Sequence, residues 1–197
     1  LHAFPLDERM WEPQLEPLRE YDVAAPRLYG RGGTIDEYAA SVLAENEGEL
    51  ALVGASLGGY TALAMANREP ARVRAVALVG ARADADTPER RASRADTIAL
   101  IEAGGAEALW ENQRPRLLLE SASESAVGTA REEVLSRSTD ELVEAVGALR
   151  DRDDRQVRPR RELLGNEPRG DRRGDRVAVH GLTSHSRRTG PRTAAST

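Results

Sequence analysis

The sequence predicts an α/β fold built on a parallel sheet. Two apolar runs, residues 49–53 and 72–79, read as strands, and a helical stretch over 57–67 lies between them. Strands that alternate with helices at this spacing imply a parallel sheet with crossover helices. After the second strand the pattern changes: residues 82–150 contain no strand candidate, and residues 151–197 are rich in Arg, Gly and Pro. The expected architecture is a parallel-sheet core over 1–81, an all-helical block over 82–150 and a poorly ordered Arg-rich tail.

The elements follow in order. Residues 21–26 form a short extended run stopped by Pro26. Thr34-Ile35-Asp36-Glu37 is a capping box, and Ile35, Tyr38, Val42 and Leu43 recur behind it at helical spacing, with Gly48 as the stop. The strand over 49–53, the helix over 57–67 and the strand over 72–79 complete the core. In the block, Asp86 or Thr87 before Pro88-Glu89 starts a helix with Pro in its first turn, leading to Ile98 and Ile101. Residues 106–118 carry Leu109 and Trp110. Thr129 to Glu132 and Ser138 to Glu141 are two further capping boxes. An all-helical block placed after a parallel strand suits a lid over a site on the sheet. Trp110 and Leu117 to Leu119 read as its packing, with an apolar acyl pocket as the alternative.

Composition narrows the function. The chain has 197 residues, no Cys and three His (His2, His180, His185), so thiolate metal sites, disulfides and a Cys nucleophile are excluded. No cofactor is expected. No apolar run approaches the roughly 18–20 residues of a membrane helix, and no basic-then-apolar leader opens the chain, so a cytoplasmic protein is expected. All 28 basic residues are Arg. They divide unevenly: 16 Arg face 26 acidic residues over 1–150, a net −10, whereas 12 Arg face seven over 151–197, a net +5. The net −10 of the body opposes phosphate binding, so nucleic acid is not an expected partner.

Gly54-Ala55-Ser56-Leu57-Gly58 matches G-x-S-x-G. The pattern places Ser56 on a sharp, strained strand-to-helix turn, with glycines where the strand and helix pass closely. There the hydroxyl is exposed at the strand's C-terminal end, close to a helix N-terminus that favours negative charge. About 0.08 chance matches are expected from this composition, so the context carries the weight: an apolar strand precedes the motif and a helix follows it. A glycine-rich phosphate loop would end in G-K-[ST], which is absent here.

The opening residues add a second motif. His2-Ala3-Phe4-Pro5 stands about 50 residues before the Gly-rich turn, followed by Met10-Trp11, the run from Tyr21 to Pro26, and Gly30-Arg31-Gly32-Gly33. In this order the sequence resembles the α/β-hydrolase family, specifically its small lidded esterases and lactonases, over residues 1–150. The resemblance implies Ser56 as nucleophile, the backbone N–H groups of Leu57 and Phe4 as oxyanion hole, and His2 as a structural residue of the loop. It implies a small-molecule acyl substrate, attacked by Ser56 to form an acyl-enzyme. Ala3 stands where the family has Gly, and Ala55 where it often has His.

The family order continues with an acid and a His on later strands. Asp175 or Asp171 is nominated as acid and His180 or His185 as base, with Asp84 a further candidate acid after the strand over 72–79. No strand ending in Gly-x-x-Asp and no Gly-His precede or carry them. The alternative is a truncated or frame-shifted copy without a working triad. Under that alternative the tail beyond about Asp151 is not the fold's native ending, because charge, apolar content and both strands change together there. The chain also begins at the last residue of the strand that the family places beside 49–53. The core is thus expected to be incomplete at both ends and to leave apolar sheet edges unpaired.

Overall fold

The computed structural model describes residues 1–82 and 84–157. A short 3₁₀ helix, Glu8–Trp11, runs into α1, Glu12–Leu15. Then come α2 (Ile35–Glu45), β1 (Leu50–Ala55), α3 (Leu57–Arg68) and β2 (Val73–Val79). The helical block is α4 (Pro88–Leu117), α5 (Glu124–Leu135) and α6 (Thr139–Asp151), followed by the single turn α7 (Asp154–Val157). Among the described residues, no helix is long and apolar enough to cross a membrane.

β1 and β2 pair in parallel, with Leu52 opposite Val76 and Ala55 opposite Val79. The helix between them is the expected crossover. Burial along the two strands is one-sided: Leu52, Val73, Val76 and Leu78 are buried, whereas Val53 and Val79 are 45 % and 42 % exposed. Parallel sheets are as a rule covered on both faces. Instead, one face packs against α3 and the other stays open among the described residues. α3 is buried from Leu57 to Asn67, because α2 covers it on its far side.

Two apolar clusters result. The first joins α2, α3 and the inner face of the sheet to Ala145, Ala148 and Leu149 of α6. The second lies within the helical block, where Ile101, Leu109, Trp110, Val134, Leu142 and Val146 are buried together. Trp110 is therefore packing of the block, as its spacing suggested. Phe4 packs against both clusters.

Several boundaries differ from expectation. Residues 21–26 form no strand: Tyr21 and Val23 are exposed, and among the described residues no backbone lies beside them to complete a ladder. α2 ends at Glu45 rather than Gly48, because the Asn46 side chain donates to the Val42 carbonyl at 2.8 Å and closes the last turn. At the other end of α2, Thr34 Oγ1 accepts from Glu37 N–H at 3.2 Å, but the Glu37 carboxylate takes the Thr34 hydroxyl instead of its N–H. Thr129 is not a cap. α5 begins six residues earlier, where Ser123 Oγ accepts from Ala126 N–H, and the buried face through Val127, Ala130 and Val134 draws the upstream turn into the helix. The Ser138/Glu141 capping box is present in full. The first two helices of the block run together as α4, bent at Gly105 with φ 63°.

Candidate functional site

Ser56 lies between β1 and α3, where the strand's C-terminal end turns directly into the helix. Its backbone has φ 45° and ψ −108°, and it is the one non-Gly residue with positive φ among those described. Such a conformation costs of order 1–3 kcal/mol and persists only where its surroundings fix it. Here they do. Ser56 N–H donates to the Val79 carbonyl at 2.9 Å, and the Ser56 carbonyl accepts from Gly59 and Tyr60 N–H in the first turn of α3. The tight turn also needs its glycines. A Cβ on Gly54 would collide with the Gly58 carbonyl, and one on Gly58 with the Leu1 carbonyl.

The segment 1–7 lies against this turn. The Leu1 N–H group donates to the Val53 carbonyl at 2.7 Å, and Ala55 N–H donates to the Leu1 carbonyl at 3.1 Å. Gly58 N–H donates to the His2 carbonyl at 2.9 Å. The His2 ring is fully buried and stacks on Tyr29, with centroids 5.1 Å apart. Nε2 accepts from Leu28 N–H at 2.9 Å, so Nδ1 carries the proton and donates to the Ala3 carbonyl at 3.2 Å. Burial pushes the imidazole down to about 4, so the ring is neutral. Both nitrogens are engaged, which makes His2 a fixed strut of the loop.

The turn and the segment laid against it each carry an unengaged backbone donor. Among the described residues, neither Leu57 N–H nor Phe4 N–H has a hydrogen-bond partner, although Ala3 N–H donates to Met10 Sδ. The Ser56 hydroxyl is likewise without one. The structure brings Ser56 and Leu57 together at the turn and lays the Phe4 segment against it through Leu1 and His2. A hydroxyl and unpaired amides at a helix N-terminus can receive an electrophile and the negative charge that grows on it.

The carboxylates after β2 serve other ends. Asp84 pairs with Arg82 at 3.0 Å and Arg90 at 3.8 Å, and the Arg82 hydrogen bond holds it below the usual carboxylate range. Asp86 is buried. Burial acts to raise it, but Arg152 and Arg94 overcome that and hold it low. Asp171, Asp175, His180 and His185 lie outside the described residues.

Sequence reasoning passed over a second polar cluster beside the Phe4 segment. Asp7 N–H donates to Glu133 Oε2 at 3.0 Å, and both residues are buried. The Asp7 carboxylate accepts from Arg9 N–H and guanidinium, and Arg9 reaches on to Glu132 and Ser136. The signal for Glu133 was present: Ala130, Glu133 and Val134 share one helical face, so the carboxylate falls on the buried side of α5.

A sequence profile described as "Alpha/beta hydrolase family" matches residues 1–194. Among solved structures, the chain is similar to a thermophilic esterase from Thermogutta terrifontis at 29 % identity and TM-score 0.69, over 78 % of this chain and 62 % of that one. It shares its fold with an esterase from Exiguobacterium antarcticum at 19 % identity and TM-score 0.66, over 80 % and 66 %. The same holds for the enol-lactonase from Burkholderia xenovorans LB400 at 22 % identity and TM-score 0.66, over 89 % and 67 %. The chain thus spans less than two thirds of the Thermogutta esterase. No curated protein matches it by sequence.

Proposed function

Since this chain belongs to the α/β-hydrolase family, we propose that it is a serine hydrolase cleaving an ester, lactone or related acyl bond through an acyl-enzyme on Ser56. One observation carries the reading: Ser56 alone among the described non-Gly residues holds a positive φ, with its hydroxyl and the adjacent Leu57 N–H both unpaired. The esterase of 29 % identity supports the acyl chemistry.

Ser56 Oγ attacks the acyl carbon as its proton passes to a base. The N–H groups of Leu57 and Phe4 receive the oxyanion, and the leaving oxygen departs with that proton. Water then attacks the acyl-enzyme, releasing the acid and restoring the hydroxyl. His180 is assigned as base and Asp175 as acid. Residues 1–81 form the core with the nucleophile turn, and residues 82–150 act as lid over a small acyl substrate. A cytoplasmic setting goes with this reading.

A second reading, a copy without a working triad, is favoured by one observation. Among the described residues the one histidine, His2, has both ring nitrogens engaged, and Asp84 and Asp86 are held by arginines. Hydrolysis of p-nitrophenyl acetate by the full chain and by Ser56→Ala decides between them. Turnover that disappears in Ser56→Ala supports the serine hydrolase; equal background from both supports the inactive copy.

A further inference from the structure

The segment carrying Phe4 is held at two ends by different parts of the molecule. At its start, the His2 carbonyl accepts from Gly58 N–H and the His2 ring accepts from Leu28 N–H, so this end belongs to the sheet and α3. At its other end, Asp7 N–H donates to Glu133 of α5, 126 residues further along the chain. Between them the Tyr29 hydroxyl donates to the Leu6 carbonyl at 2.9 Å, and the Phe4 ring packs against both apolar clusters. Among the described residues, Phe4 N–H and Leu6 N–H are the amides without a partner between the two anchors, and Phe4 is the one beside the end held by α3.

The Glu133 anchor is costly for a purely structural contact. Its carboxyl is 2 % exposed and, among the described residues, forms no ion pair within 4.0 Å. Burial pushes it up from the ordinary range. An unpaired buried carboxyl is a poor choice for stability, and an apolar residue would fit the face of α5 better. What the carboxyl supplies is an acceptor aimed at one backbone N–H, three residues after Phe4. The other ties between this end and the helical block run through the Asp7 side chain and leave the loop backbone untouched: its carboxylate lies 3.5 Å from Arg137 and is held by Arg9, which reaches on to Glu132 and Ser136.

We propose that Glu133 is a positioning residue: by accepting the Asp7 N–H it fixes the 2–7 segment and thereby the Phe4 amide toward Ser56. The inference rests on the Ser56 reading above and extends it. It gives the helical block a task besides covering the site, since α5 sets the aim of one oxyanion donor. Preorganised donors act only when held at the right place, and a displacement of about 1 Å costs up to roughly 100-fold in rate.

The test is saturation kinetics of covalent labelling by a short-chain alkyl fluorophosphonate, followed by intact mass on the full chain. The Ser56 Oγ–P bond forms as the P–F bond breaks, with fluoride leaving and the hydroxyl proton passing to solvent. Glu133→Leu is expected to lower the limiting labelling rate about 10- to 100-fold with the half-saturating concentration unchanged. Glu133→Gln keeps an acceptor oxygen and is expected to restore the rate to within about threefold of wild type. If Glu133→Leu fails to fold by circular dichroism, Glu133→Asp decides, because it retains the charge and withdraws the oxygen; an unchanged rate there overturns the proposal. Equal rates in wild type and Glu133→Leu overturn it while leaving the Ser56 reading intact, and so does an equal loss in the Leu and Gln variants. No labelling of wild type at Ser56 overturns both together.

Discussion

Arg152 grips both carboxylate oxygens of Asp86, at 2.7 and 2.9 Å, while its guanidinium lies 3.8 Å from the centroid of the Tyr60 ring. The residues come from the end of α6, the segment after β2 and the first turn of α3, so one buried contact joins the helical block to the sheet immediately beyond the Ser56 turn. Both charged groups are almost wholly buried.

Removing the cation alone should be expensive. Arg152→Met leaves Asp86 buried with Arg94 as its remaining partner, and breaking a buried pair from one side costs roughly 3–5 kcal/mol. The lower end is expected here because Arg94 persists. The double variant Arg152→Met/Asp86→Leu removes the orphaned charge and should recover at least half of the loss. Urea titrations of the three proteins measure this, and an Arg152→Met midpoint equal to wild type would contradict it.

His2 gives the fold an acid limit. In the folded chain burial lowers its pKa to about 4 from an ordinary value near 6.5, so the unfolded chain binds the extra proton first as pH falls. Stability from this site is complete above about pH 6.5, declines through the interval down to about 4, and is flat below. The whole effect is on the order of 3 kcal/mol. Protonation would also set Nε2–H against Leu28 N–H, where it now accepts. Thermal melts between pH 4 and 7 should slope upward with pH for wild type. His2→Gln, which keeps an acceptor without the titration, should show a shallower slope than wild type.

The sequence exposed the Ser56 turn because its constraints are local. Gly54, Ser56 and Gly58 must occupy fixed positions where a strand becomes a helix, and the apolar runs on either side declare both elements. The parallel pairing of β1 and β2 followed from the crossover helix between them. Contacts between distant segments were less legible. Arg152 and Asp86 each look like ordinary surface charges, and only the fold makes them partners. The extended run at 21–26 illustrates the opposite failure: its composition suits a strand, but a ladder needs a neighbour, and composition cannot supply one. Thr129 failed for a third reason: Ser123 caps six residues upstream, and Val127, half-buried against the cluster of Ala130 and Val134, continues the helical face back to it.

The crossing at Gly54 and Gly58 makes a sharp prediction. In Gly54→Ala the new methyl group would meet the backbone carbonyl of Gly58, which has no side chain able to move aside. Overpacking against rigid backbone is expected to cost roughly 3 kcal/mol or more. Relief would require α3 to lift from β1, and with it the Leu57 amide. The variant should therefore lose both unfolding midpoint and Ser56 labelling, whereas Gly128→Ala, with open space around it in α5, should lose neither. A Gly54→Ala protein of wild-type midpoint would refute the close crossing.

The outer face of the sheet predicts how the chain behaves in solution. Val53 and Val79, from adjacent strands, are both more than two-fifths exposed, and Ala51 and Ala77 continue the same face. Apolar strand residues without cover favour association between copies, especially where the sheet has only two strands among the described residues. Val53→Thr/Val79→Thr keeps β-branched shape on both strands while making the face polar, so the inner packing through Leu52 and Leu78 is untouched. The double variant is expected to show less light scattering than wild type at equal concentration, with its unfolding midpoint nearly unchanged. Scattering as strong as wild type would mean that this face does not drive association. A large fall in midpoint would mean instead that the two valines are covered in solution.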